Sequence, residues 1–224
     1  TPVRISPAML LHLRIAHFSH KYADWLLKRG IDIGLGSNKS NIDDFYIDHD
    51  LFCESCRSQR IVRSVKRTDQ DFSMYEPFAY VCMDGSGPMP FVSIHGNVYI
   101  WAIMCLRSRW TYLFFSKRKD QETIIMIFKR YLLIVRAYRR DVTHFGITSK
   151  LLTDLGGEFT GKVLNSEFEK LGVKHIYAAT GMHHQNAHVE RLFRTAWSCM
   201  NRMIFTGGVP PELWEEACTH AIYI

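Results

Sequence analysis

Three acidic residues stand out by type and setting: Asp84 in VCMDGSGP, Asp154 in LLTDLGGEF and Glu190 in HHQNAHVERLFRT. Carboxylates brought together from distant parts of a chain are a means of holding two hard divalent cations, Mg²⁺ or Mn²⁺, for phosphoryl transfer. Alone, an Asp before Gly is usually a turn residue, so the reading rests on the set. A second set carries softer donors. His12 and His17 are followed at a distance by Cys53-x2-Cys56, and two imidazoles with two thiolates close a tetrahedral shell around one structural Zn²⁺. The competing reading makes the histidines polar residues on a helix and the cysteines a redox pair. A redox CxxC is expected beside a βαβ pattern, and none surrounds this one. His20 and His49 are the nearby substitute ligands.

The elements that must position these residues follow from periodicity. Residues 7–16 and 20–29 read as two short helices, the second stopped by Gly30, with His17 at the turn between them. Residues 57–76 are basic and lack periodic apolar positions, which suits a connection. An apolar run at 78–83 reads as a buried strand delivering Asp84 at its end, where Gly85, Gly87 and Pro88 break it. Residues 98–106 and 110–115 form an expected hairpin around Arg107-Ser108-Arg109. Residues 120–139 read as a helix with apolar positions at 124, 128, 131, 132, 135 and 138. Strand 149–153 presents Asp154, and a helix at 162–171 and a strand at 174–178 follow. Glu190 falls on a further helix, at the seam between an apolar arc (Val189, Leu192, Phe193, Ala196, Trp197, Met200, Met203, Ile204) and a polar one. Arg191, Arg194 and Arg202 lie on the polar arc. They could grip phosphates, or be solvated charges, with Glu190 and Arg194 an i,i+4 pair.

Composition sets the outer limits. With 224 residues, 47% apolar and 13% aromatic, the chain can fill a globular core. A formal charge of +6 favours an anionic partner, and the basic residues are clustered. Eleven Lys or Arg stand against three acids between Arg107 and Lys150, and five more lie between Arg57 and Arg67 with no acid, a distribution suited to tracking phosphates. The longest apolar run, 98–106, is too short to span a membrane, so no membrane partner is expected. The six cysteines are too scattered for a secreted disulfide scaffold.

Asp84 with Gly87-Pro88, Asp154-x-Gly156-Gly157-Glu158-Phe159, Gln185-Asn186 and Val189-Glu190-Arg191, taken in order, resemble the integrase core of Copia-type LTR retrotransposons, within the retroviral integrase superfamily. The resemblance covers nearly the whole chain. It implies an α/β fold: a ribonuclease H-like catalytic core, with a mixed five-stranded sheet flanked by helices, preceded by a small helical zinc-binding domain. The expected division is 1–60 for the zinc-binding domain, 61–76 for a basic linker and 77–224 for a C-terminally truncated core. The family's segment before the core has the order His, His, Cys, Cys, which selects His12, His17, Cys53 and Cys56. A segment of this size with a polar stretch at 34–50 also buries too little apolar surface to hold itself well without a metal.

The resemblance further implies an enzyme, a polynucleotidyl transferase. Asp84 would bridge two Mg²⁺ or Mn²⁺ ions, with Asp154 completing one and Glu190 the other. Gln185 and Asn186, in a loop that approaches DNA in the family, join Arg191, Arg194 and Arg202 as DNA contacts; His183 and His184 are further contacts rather than ligands. Glu158 is expected to organise the turn after Asp154. The implied partners are element-end DNA, target DNA and other copies of the chain in a multimer. The implied location is the nucleus, after assembly of cytoplasmic virus-like particles. Lacking an initiator Met and a signal-type leader, and stopping within an apolar helical pattern, the sequence is expected to be a segment of a longer polyprotein.

Departures from the family pattern touch the loop more than the ligands. Leu155, Gly181-Met182, Ala187-His188 and Cys105-Leu106-Arg107 stand where the family usually has other residues. They keep open a catalytically silent DNA-binding or interaction protein from a decayed or host-adopted element. A cut-and-paste transposase or a ribonuclease H-like nuclease with the same triad is the third reading, disfavoured by the upstream zinc motif.

Overall fold

Runs rich in aromatic and branched residues pair into a five-stranded mixed sheet, in a computed structural model that describes residues 7–14, 17, 20–31, 53, 71–141, 147–178 and 187–223. Its strands are β1 (Tyr80–Ser86), β2 (Tyr99–Cys105), β3 (Thr111–Ser116), β4 (Lys150–Thr153) and β5 (Lys174–Tyr177), in the order β3-β2-β1-β4-β5. The first three are antiparallel neighbours, whereas β4 runs parallel to both β1 and β5. The hairpin between β2 and β3 turns where Arg109 takes a φ of 65°, with the Trp110 carbonyl accepting from the Cys105 N–H.

The helices among the described residues are α1 (Pro7–Arg14), α2 (His20–Leu27), α3 (Gln121–Asp141), α4 (Lys162–Lys170), α5 (Ala187–Gly207) and α6 (Trp214–Tyr223), the last preceded by a 3₁₀ turn at Pro211–Leu213. Asp120 caps α3, accepting the Thr123 N–H at 2.8 Å. Ile124, Ile127, Phe128, Tyr131, Leu132 and Val135 then bury against Val81, Met83, Ile103 and Leu151 of the sheet. Phe128 meets Phe168 of α4 edge to face at 5.0 Å. The helix stripe differs from expectation at two places. Ile127 joins the core, while Tyr138 is 53% exposed because it lies at the helix end beyond the core cluster. The arrangement is a mixed α/β sheet flanked by helices, consistent with a ribonuclease H-like fold.

Contacts divide the chain into two compact units, Thr1–Ser64 with Thr195–Ile224, and Val65–Arg194. Residues 195–224 therefore group with the N-terminal segment, whereas the sequence division counts them with the core. Residues 71–76, within the stretch read as linker, belong to the sheet unit. Tyr75 there accepts a hydrogen bond from Lys150 Nζ at 3.0 Å, and its ring packs edge to face on Tyr80. No helix of the described residues is long and apolar enough to cross a membrane.

Two strand boundaries correct the sequence reading. Phe78, expected to open β1, sits in a turn at φ 67° with its ring buried, and the strand begins at Tyr80. At the other end β1 continues to Ser86 instead of breaking at Gly85. The cause is tertiary: β2 supplies partners throughout, pairing Asp84 with Ala102, Gly85 with Trp101 and Ser86 with Ile100. Gly85 is needed there for space. A Cβ at this position would stand 2.5 Å from the ring of Trp101, which is fully buried and donates from Nε1 to Ser116 Oγ at 2.8 Å. Gly85→Ala is therefore expected to destabilise the sheet unit by about 1–3 kcal/mol through overpacking. Denaturant midpoints of the two proteins check this, and equal midpoints would show that Trp101 can yield.

Candidate metal centres

The ladder between β1 and β4 sets the relation of the two aspartates. Tyr80 pairs with Lys150, Val81 with Leu151 and Cys82 with Leu152, and continuing the same register brings Asp84 opposite Asp154. In parallel strands, residues so aligned project to the same face. Here the last parallel pair is Cys82 with Leu152, so both carboxylates stand just past the end of the ladder. Asp84 is still held by β2 at that point, whereas Asp154 has left the ladder for a turn. The sequence pattern puts both aspartates at strand ends; the structure places Asp84 within β1.

Local hydrogen bonds orient both groups. Asp84 Oδ1 accepts its neighbour's Gly85 N–H at 2.8 Å, and Asp154 Oδ1 accepts the Gly156 N–H at 3.0 Å. The turn after Asp154 is closed by the Phe159 N–H bonding to the Gly156 carbonyl, and Phe159 is fully buried with its ring edge to face on Trp101. Trp101 thus supports the backbone beneath Asp84 and the turn behind Asp154. In the sequence it is only one residue of an apolar run, since nothing local distinguishes a supporting aromatic from any other core residue.

Glu190 lies on the first turn of α5 and is exposed. It acts electrostatically on Asp84, as does Asp154. Burial above all, then these two like charges, push the Asp84 carboxyl up to about 7, against the opposing pull of the Gly85 N–H and the Lys119 ammonium. Asp154 and Glu190 thus act on Asp84 through their charges, but among the described residues the three carboxylates do not form a group close enough to hold one ion between them. Lys119 is a participant that the sequence does not single out. It follows β3 in the run Lys117-Arg118-Lys119, and pattern alone cannot tell which of three consecutive cations faces a site. Its Nζ lies 2.7 Å from Oε1 of Glu158, in the turn after Asp154.

A partly buried polar chain braces the same end of the sheet. His175 on β5 has Nδ1 2.7 Å from Asn165 Oδ1 and Nε2 2.8 Å from Thr153 Oγ1, and the Thr153 hydroxyl in turn donates to the Asp154 carbonyl at 2.9 Å. Burial lowers the His175 pKa to about 4.

The DNA-contact candidates divide. Arg194 is exposed on α5, and Arg191 is partly buried with Nη2 3.1 Å from His188 Nδ1. Arg202 corrects the expectation of an exposed arc, being only 5% exposed. Beyond Arg194 the helix belongs to the other compact unit, where Ala221 of α6 meets Cys199 and the charge of Arg202 acts on His17. Gln185 and Asn186, with His183 and His184, lie outside the described residues.

In the N-terminal unit, His12 and His17 are both buried and meet Cys53. Their ligand atoms all lie within 4.8 Å of one another, with His17 Nδ1 3.2 Å from His12 Nε2 and 3.3 Å from Cys53 Sγ. His17 reaches this position by a left-handed turn, φ 64°, in which its N–H bonds to the His12 carbonyl. Burial, then the charges of His12 and Arg202, lower its pKa to about 4, leaving the neutral ring that a metal requires. Two imidazoles and a thiol form a donor set compatible with zinc. Cys56 and His49 lie outside the described residues, and nothing is described of the His20 side chain.

No family model matches the chain. Over 145 residues it is 28% identical to the retrovirus-related Pol polyprotein from transposon TNT 1-94 of Nicotiana tabacum, an alignment covering 64% of this chain. The likeness supports a retroelement origin. The chain spans about a tenth of the length of that polyprotein.

Proposed function

We propose that the chain is an integrase segment of a Copia-type retrotransposon polyprotein, with a ribonuclease H-like core, acting on element-end DNA and target DNA. The observation that supports the proposal is the parallel register of β1 and β4, whose last pair, Cys82 with Leu152, lies two residues before Asp84 and Asp154 alike, with the charge of Glu190 acting on Asp84. Three carboxylates, as hard oxygen donors, would suit Mg²⁺ or Mn²⁺ better than a metal that prefers thiolates. Asp84, on which both other acids act electrostatically, would be the shared ligand; Asp154 and Glu190 would each complete one ion. When bound, the ion pair would supply activation of the attacking oxygen and stabilisation of the leaving one.

The chain's own part in that chemistry is positional. β2 and Trp101 fix the backbone under Asp84, and the Thr153–His175–Asn165 chain braces the strand that ends at Asp154. Water would first trim a 3′ end, and the resulting 3′-hydroxyl would then displace at a phosphodiester of the target. Arg191 and Arg194 would contact DNA phosphates alongside Gln185 and Asn186. A zinc ion held by His12, His17, Cys53 and Cys56 would order the N-terminal unit, and the working form would be a multimer in the nucleus.

The test is strand transfer with a duplex oligonucleotide carrying an element end, in Mg²⁺ or Mn²⁺. Product from the wild-type protein that disappears in Glu190→Gln supports the proposal. DNA binding without product, even from the full-length polyprotein segment, would leave only a silent binding protein.

A further inference from the structure

We propose that Lys119 is a built-in counter-cation of the carboxylate cluster, held by Glu158, and that this pair sets how tightly the cluster takes a divalent ion. The inference rests on reading Asp84, Asp154 and Glu190 as a divalent-ion site. Lys119 approaches from the connection between β3 and α3, and Glu158 from the turn after β4, so two separate segments meet at a 2.7 Å ion pair. The pair is not an ordinary solvated one: its side chains are 31% and 15% exposed. Pairs on open surface add little, because water and salt screen them.

Glu158 also reaches toward the cluster with its other oxygen. A Cβ built on Gly156 would lie 2.9 Å from Glu158 Oε2 and 3.0 Å from Asp154 Oδ1, so both carboxylates converge over the bare Gly156 backbone. Glu158 therefore has the ammonium of Lys119 on one oxygen and the Asp154 carboxylate near the other. The ammonium acts on Asp84 and Asp154 as well, and these carboxylates help to keep Lys119 protonated against the opposing effect of burial. A fixed positive charge at this place moderates the repulsion among the acids while no metal is bound. The same charge opposes the approach of a divalent cation.

This role makes opposite predictions for the two partners. Lys119→Met deletes a positive charge and should tighten Mn²⁺ binding about three- to tenfold, whereas Glu158→Gln deletes a negative charge and should weaken it by a similar factor. The double variant should return near the wild-type affinity, and Lys119→Arg, which keeps the charge, should match the wild type. The measurement is Mn²⁺ affinity by calorimetry at about pH 8, with thermal melts confirming that each variant is folded. A pair that merely clamps the Asp154 turn gives the other pattern, with both single variants weakened, and that result overturns the proposal. So does unchanged affinity in Lys119→Met. If the wild-type chain itself binds no Mn²⁺, the metal-site reading fails and this inference falls with it.

Discussion

Asp84→Asn is expected to do two opposite things: abolish DNA-end transfer and divalent-ion binding, and stabilise the metal-free chain above neutral pH. The first follows from losing the shared carboxylate of a two-ion site. The second follows from the same residue's cost in the empty site. Its folded pKa of about 7 lies above the ordinary value of 3.8, because the charged form is buried beside two other acids. A carboxyl raised in this way stabilises the fold fully below its unfolded pKa, and that contribution is lost as pH rises through the folded pKa. The wild-type chain should therefore lose stability between about pH 4 and pH 7, by about 1–3 kcal/mol after allowing for partial exposure. The amide side chain of the Asp84→Asn variant has no such titration. His17 and His175, whose pKa values are lowered to about 4, titrate with the opposite sign across part of this window. The difference between wild type and Asp84→Asn cancels them. Melts of both proteins at about pH 5 and about pH 8, with and without Mg²⁺, check the prediction. Added Mg²⁺ should raise the wild-type midpoint and leave the variant's unchanged; equal rises would remove Asp84 from the ligand set.

Removing metal from the N-terminal unit is the second large effect expected. His12, His17 and Cys53 converge from a helix, a left-handed turn and a distant segment, and the helices concerned, α1 and α2, have eight residues each. Helices so short do not persist alone in water. A structural zinc contributes on the order of 10 kcal/mol to such a unit, so chelation should melt α1 and α2 while the sheet persists. Hydrogen exchange of residues 7–27 before and after chelation reads this directly. Elemental analysis should give one zinc per chain, and Cys53→Ser should lower its affinity by at least about a hundredfold, since a thiolate is the strongest donor of the set. Full zinc retention in a His12→Ala, Cys53→Ser double variant would exclude this cluster as the binding site.

The order of elements is legible in the sequence, because it depends on short-range patterns. Apolar runs mark β1 to β3, and the short Leu151-Leu152 core of β4 stands directly before Thr153 and Asp154. Boundaries are less legible where a partner strand decides them. Asp84-Gly85 reads locally as a turn, yet β2 and the ring of Trp101 keep it extended. Arg202 shows the same limit on a helix. A helical projection separates apolar from polar arcs, but it cannot show that a polar-arc residue such as Arg202 is buried within its unit, where its charge acts on His17. Lys119 is illegible for another reason. Its partner Glu158 is distant in sequence, and a cation's role beside acids is fixed by geometry that composition does not carry.

The shared register of β1 and β4 works as a ruler with discrete marks. Hydrogen-bond ladders shift only by whole residues, and a single-residue slip would turn a side chain to the opposite face. The alignment of the strand ends from which Asp84 and Asp154 project is therefore insulated from changes in the long connection between the two strands. Loops there can lengthen, shorten or change sequence without sliding β1 along β4, while the last step to Asp154 depends on the short turn tied by Gly156 and Phe159. Variation in the long connection should leave the register of the two strands either intact or shifted by a whole residue, with no graded series between.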